Sequence, residues 1–219
     1  MRGKQKMSLI WDYFSYMFFY SLLGAAGYAL IIYIKYNKSG KKAGNFHFLE
    51  VIKKELPKLF LAAYCVGIIA VTVFRYLMIR EMGFDSASRA FRFSVYWKTV
   101  FSAHRVNLVP FKTIGAYFSF LNASGRNDTI HSISLVNLLG NILVFCPLGV
   151  LLPVVFPRYN SVWKILAAGA AFSFMIEFVQ FFVGRSSDVD DIIFNTLGAV
   201  LGFWIYRIFR FFHETTISK

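Results

Sequence analysis

"GRSSDVDDIIFNTLGAVLG", residues 184–202, sets three carboxylates, Asp188, Asp190 and Asp191, at the head of a segment that then turns apolar. Past them, Asn195 is the one strongly polar side chain before Arg207. A run of this kind reads as a membrane-crossing helix, for which about 20 apolar residues suffice. Acids are scarce in the chain, so three of them at the mouth of a span need a reason.

The composition supports the reading of a membrane span. Of the 219 residues, 57% are hydrophobic, 19% aromatic and only 16% charged, whereas a soluble domain carries about 25% charged residues. Residues 13–34 hold no charge at all. The fold class is therefore all-α, a polytopic transmembrane helical bundle. The net charge of +13, from 24 Lys and Arg against 11 Asp and Glu, belongs at the membrane surface, facing anionic headgroups. No nucleic-acid motif competes with that account, and no nucleic acid is expected as a partner. Cys65 and Cys146 fall inside spans, where thiols behave as small hydrophobes.

Five spans are expected, at 13–34, 58–79, 132–156, 162–183 and 188–212. Residues 1–57 then hold one N-terminal transmembrane helix and a lysine-rich loop, 58–212 a four-span core, and 213–219 a short tail. The connection 35–57 carries six lysines against two glutamates, and short basic loops stay in the cytoplasm. This predicts a multi-pass protein of the cell membrane with connection 80–131 outside. Within it, "FRFSVYWKTVFSAHRVNLVPFKTIGAYFSFL" (91–121) mixes aromatics with spaced basic residues, as in a segment lying in the headgroup layer. An interfacial helix or re-entrant segment is expected before span three, broken at 107–110 because the residue before proline resists helix.

Whatever the orientation, span two ends, span three begins, span four ends and span five begins on one membrane side. Arg75, Asn137, Asn141, Glu177, Gln180 and Asn195 each lie within roughly 5–14 Å of that surface at the helical rise. Asn137 with Asn141, and Glu177 with Gln180, share helix faces. Asp188, Asp191, Asn195, Gly198 and Gly202 form one stripe along span five, polar at its outer end and glycine at its inner end. Small residues let membrane helices approach closely, so the stripe should face protein and its polar end should line a pocket. Pro147 should kink span three.

Plainer roles compete. Asp188 can cap a helix, while Asp190 and Asp191 complement its positive end. Asn137 and Asn141 can be interhelical hydrogen-bond donors, and Arg75 and Arg185 can snorkel. Glu177 is hardest to explain so, because an acid at that depth is expensive and by default functional.

Four ordered blocks, "RVNLVPF" (105–111), "NLLGNILVFCPLGVLLP" (137–153), "EFVQFFVGRSSDVDD" (177–191) and "NTLGAVLG" (195–202), resemble the VanZ-like membrane proteins. The likeness covers roughly residues 59–210 and leaves the first span outside the usual four-span core. It implies that Asn107, Pro110, Phe111, Asn137, Asn141, Glu177, Gln180, Arg185, Asp188, Asp191 and Asn195 are the family's shared positions, with Asp190 at a looser one. The family is named for a member linked to low-level teicoplanin resistance, which makes lowered susceptibility to lipoglycopeptides the implied association.

Two classes of function follow. In the first, a membrane-embedded hydrolase or transferase acts on a lipid-linked substrate in an outer-leaflet polar pocket. Glu177 would be the general acid or base, and Arg75 and Arg185 would hold phosphate or carboxylate groups. Asp188 and Asp191 would bind a divalent cation or act as a second acid pair. Asn107, Asn137, Asn141, Gln180 and Asn195 would contact polar substrate groups. No Ser-His-Asp or Cys-His arrangement supplies a nucleophile, so water would attack. In the second, the pocket only binds its partner, be it a membrane lipid, a lipid-linked wall precursor or a lipoglycopeptide, and alters antibiotic access to wall precursors.

Overall fold

A computed structural model describes residues 2–38, 45–74, 96–98, 101, 106–112, 115, 128–183 and 185–217. The chain forms two compact units, Met1–Arg75 and Tyr76–Lys219. Among the described residues, five helices are long and apolar enough to cross a membrane, with spans at Ser15–Lys38, Lys53–Val73, Leu138–Val155, Val162–Phe182 and Val189–Thr216. The all-α, five-span reading therefore holds.

The first unit is a pair of helices, α1 (Arg2–Lys38) and α2 (Asn45–Ile69), the second running into a π-helical turn at Ala70–Phe74. Their contacts run antiparallel. A Cβ on Gly24 would press on Val66, and one on Gly67 would meet Ser21 and Met17, while Tyr28 donates to Glu55 Oε2 at 2.9 Å. Here the structure differs from the expected long loop. Most of 35–57 is helical, and Pro57 lies inside α2. The carbonyl that Pro57 leaves without a partner belongs to Lys53, in a charged turn where water can replace the lost bond.

The second unit contains α3 (Asp128–Val155), α4 (Val162–Phe182) and α5 (Val189–Ile217). A 3-10 turn at Pro157–Tyr159 separates α3 from α4. Helix α5 packs along both of the others, while α3 and α4 touch far less. Glycine makes the α3–α5 approach possible. A Cβ on Gly198 would collide with the carbonyl oxygen of Ile142, and one on Gly202 with that of Cys146. The reverse holds for Gly149 of α3, which faces the Ala199 carbonyl. Such backbone contact replaces the hydrophobic drive that lipid cannot supply between helices. Helix α3 continues through Pro147 and Pro153.

Aromatic residues ahead of α3 seat on the end of α4. Residues 96–98 form a helical turn, and the Tyr96 hydroxyl donates to the Phe182 carbonyl at 2.8 Å. Trp97 stacks on Phe101, which meets Phe181 edge to face. This carbonyl lies in the last turn of α4, where it has no intrahelical donor.

Candidate functional site

The connection between α4 and α5 is built from their termini. At the end of α4 the Arg185 N–H reaches back to the Gln180 carbonyl at 3.0 Å, which brings Arg185 beside the last polar turn. Ser187–Asp188 then forms a two-residue strand, β2, paired in parallel with β1 (Val106–Asn107). Helix α5 starts immediately after. Asp188 caps it, its Oδ1 accepting from the Asp190 N–H at 3.0 Å, and Asp190 and Asp191 occupy its first turn, the favourable place for acids.

Glu177, on the last turns of α4, is 3% exposed. Its Oε2 accepts from the Asp188 N–H at 3.0 Å. In the amide orientation that satisfies both neighbours, Gln180 Nε2 donates to Glu177 Oε1 at 3.0 Å and its oxygen accepts from Arg185 Nη1 at 3.0 Å. Both oxygens of the carboxylate are thus engaged, one by the cap of the next helix and one by a relay to a guanidinium. An acid buried this deeply is held only when such donors surround it.

Around that relay the other side chains close in pairs between elements. Asn107 Nδ2 donates to Asp188 Oδ1 at 2.9 Å, joining the strand segment to the head of α5. Asn141 Nδ2 donates to Asp191 Oδ1 at 2.6 Å, joining α3 to α5. Asn195 Nδ2 donates to Ser173 Oγ at 2.8 Å, joining α5 to α4 with both residues buried. Asp190 is 1% exposed and accepts from the Phe111 N–H. Phe111 has φ 62°, a left-handed conformation that costs a non-glycine residue about 1–2 kcal/mol, and this carboxylate helps hold the turn there.

Asn107, Asn141, Glu177, Gln180, Arg185, Asp188, Asp191 and Asn195 therefore lie in one connected polar region. Asn137 stands one turn before Asn141 on α3, but its side chain lies outside the described residues, as does Arg75. One member was not singled out by sequence reasoning. Ser173 was hidden because serine is unremarkable in a span, although it lies four residues before Glu177, on the same face. Asp190, read as a cap-type acid off the stripe, lies in the first turn of α5 and is in addition buried, holding the Phe111 turn. A break was expected at 107–110, with an interfacial helix or re-entrant segment on each side, and most of those flanks lie outside the described residues. At the break Val106–Asn107 pairs with Ser187–Asp188, a long-range contact that local pattern does not encode.

Asp188 and Asp191 were candidate cation ligands. Among the described residues no three His, Cys, Asp or Glu side chains converge into a metal-holding group. Asp188 Oδ1 is already committed to two donors.

One acid is held differently. Asp191 is half-buried, and Asn141 engages its Oδ1. Among the described residues its Oδ2 accepts no hydrogen bond.

Five helices long and apolar enough to cross a membrane among the described residues define a multi-pass membrane protein, with an interhelical polar cluster at one end of α3, α4 and α5. A family model described as VanZ/LLP1 matches residues 61–210. The chain belongs to the VanZ/LLP1 family. No curated protein and no solved structure matches it. The match begins inside α2 and leaves α1 outside, and it contains the whole polar cluster.

Proposed function

We propose that this protein acts on the polar head of a membrane-anchored amphiphile, a lipid or lipid-linked envelope precursor, in the outer leaflet. Asp191 is the acid that meets it. The observation that carries this reading is the contrast between two carboxylates of the cluster. Glu177 is closed off by donors on both oxygens, whereas Asp191 keeps one oxygen without a hydrogen bond among the described residues and is partly accessible. Asp191 Oδ2 is free to take a proton from water or from a substrate hydroxyl, and Arg185, fixed by Gln180, supplies positive charge for a phosphate or carboxylate. Glu177 is a positioning residue. It holds the cap of α5 and the Gln180–Arg185 relay in place.

A non-catalytic reading has one observation in its favour: most polar groups here are already satisfied by each other. In that account the site binds a lipid or the acyl-bearing end of a lipoglycopeptide without changing it, and family association with teicoplanin resistance reflects altered drug access.

The experiment is incubation of the purified protein with phospholipids and cell-wall lipid precursors, followed by mass spectrometry. The catalytic reading expects a new product that disappears with Asp191→Asn. Ligand retained unchanged by both parent and variant supports binding alone. Orientation is tested separately by cysteine labelling in intact cells, where exposed Ser186→Cys should react and exposed Lys38→Cys should not. Labelling of Lys38→Cys alone moves the site to the cytoplasmic leaflet.

A further inference from the structure

The first unit contains a cleft of its own. Between α1 and α2, at the end where the two helices are joined, lies a cleft of about 290 Å³ lined by Tyr28, Ile32, Lys35, Tyr36, Glu55 and Lys58, among others. This lies near the lower end of the roughly 300–1,000 Å³ of small-molecule sites, enough for a headgroup and not for a whole lipid. Two cations and one carboxylate face it. Glu55 is already committed, accepting from Tyr28 at 2.9 Å and from Lys58 at 2.9 Å. Lys35 is exposed and has no ion-pair partner among the described residues. The cleft therefore carries a surplus positive charge on a wall whose acid is neutralised.

Its surroundings match an amphiphile. Ile32 and Tyr36 form a buried floor, while Leu30, Ile31 and Ile34 of α1 and Phe60 of α2 are exposed along the same helices, where acyl chains would run. Lys38, Lys53 and Lys54 add basic charge at this end. The lysine-rich connection assigns it to the cytoplasmic leaflet, which is where anionic lipids attract such clusters. We infer that the α1–α2 cleft binds the phosphate-bearing headgroup of an anionic phospholipid of the cytoplasmic leaflet, with Lys35 and Lys58 as its cationic contacts and Tyr28 beside them. This role falls on α1, the helix outside the family match, and does not depend on the polar cluster of the second unit.

The test is native mass spectrometry of the full-length protein with phosphatidylglycerol or phosphatidylcholine added at equal concentration. Phosphatidylglycerol should bind more tightly. Lys35→Gln should weaken it about five-fold, the factor equivalent to about 1 kcal/mol for one lysine at a membrane surface. Lys164→Gln, an exposed lysine at the start of α4, should leave it unchanged. Lys35 makes no hydrogen bond or ion pair among the described residues, so its variant should melt like the parent. Equal binding of both lipids, or equal weakening by Lys35→Gln and Lys164→Gln, overturns the site. Displacement of the lipid by millimolar inorganic phosphate would mean that the cleft reads a free anion, and would overturn the lipid assignment.

Discussion

The two ends of the α3–α5 contact bring helices together by opposite chemistry. At the inner end Gly198 and Gly202 let backbone meet backbone, with no side chain between. At the outer end Asn141 and Asp191 meet across the same pair of helices by a hydrogen bond of 2.6 Å. The glycine end tolerates no added volume, while the polar end tolerates no unmatched donor. The first condition serves the second, because Asn and Asp are short and reach each other only when the helix axes are close. Packing at the inner end thus sets the geometry of the site at the outer end.

The largest effect should come from breaking the glycine end. Gly198→Leu drives a side chain into the Ile142 carbonyl and must separate α3 from α5. Folded protein should be lost, measured as expression and thermal melting in detergent. A Gly198→Leu variant that melts like the parent would show that the interface is not the determinant described here.

A smaller loss should follow from Asp190→Ala. The Phe111 N–H loses its buried acceptor, costing about 1–3 kcal/mol, and the strained turn at Phe111 should relax. Proteolysis or hydrogen exchange over 106–112 should accelerate while α3–α5 protection persists. Unchanged exchange would remove Asp190 from the anchoring role.

Smallest should be Ser173→Ala, which removes one buried partner of Asn195. Interhelical polar contacts of this kind average about 0.6 kcal/mol and reach about 1.7. The melting temperature should fall slightly with function kept. A loss of function without loss of stability would move Ser173 into the reacting site.

Much of this was legible in the sequence because membranes impose simple rules. Charge-free runs gave the spans, and the 3-4-3-4 spacing of Asp188, Asp191, Asn195, Gly198 and Gly202 gave the α5 face that packs on protein. Convergence of the polar residues of α3, α4 and α5 followed from helix direction alone. What stayed hidden was not periodic. The pairing of Val106–Asn107 with Ser187–Asp188 spans 81 residues of sequence, and neither strand is long enough to show alternation. The helical extent of 35–57 was masked by its charge, which suggests a loop although lysine and glutamate are good helix formers. The proposed division of labour between Glu177 and Asp191 was also out of reach, since it depends on which oxygen meets which donor.

That division is the central claim, and paired isosteric variants test it most directly. At position 191 an amide keeps an oxygen for Asn141, so Asp191→Asn should fold normally. At 177 an amide sets its NH₂ against either the Asp188 N–H or the Gln180 NH₂, so Glu177→Gln leaves a buried donor conflict costing about 1–3 kcal/mol. Melting temperature and lipoglycopeptide susceptibility should be measured together, at matched expression in cells. Asp191→Asn should melt like the parent and lose function by the roughly 10²-fold or more that removal of a general acid or base entails. Glu177→Gln should melt lower and keep function in proportion to the folded protein that remains. The opposite pattern, a fully stable Glu177→Gln without function beside a fully active Asp191→Asn, would contradict the account and return the reacting role to Glu177.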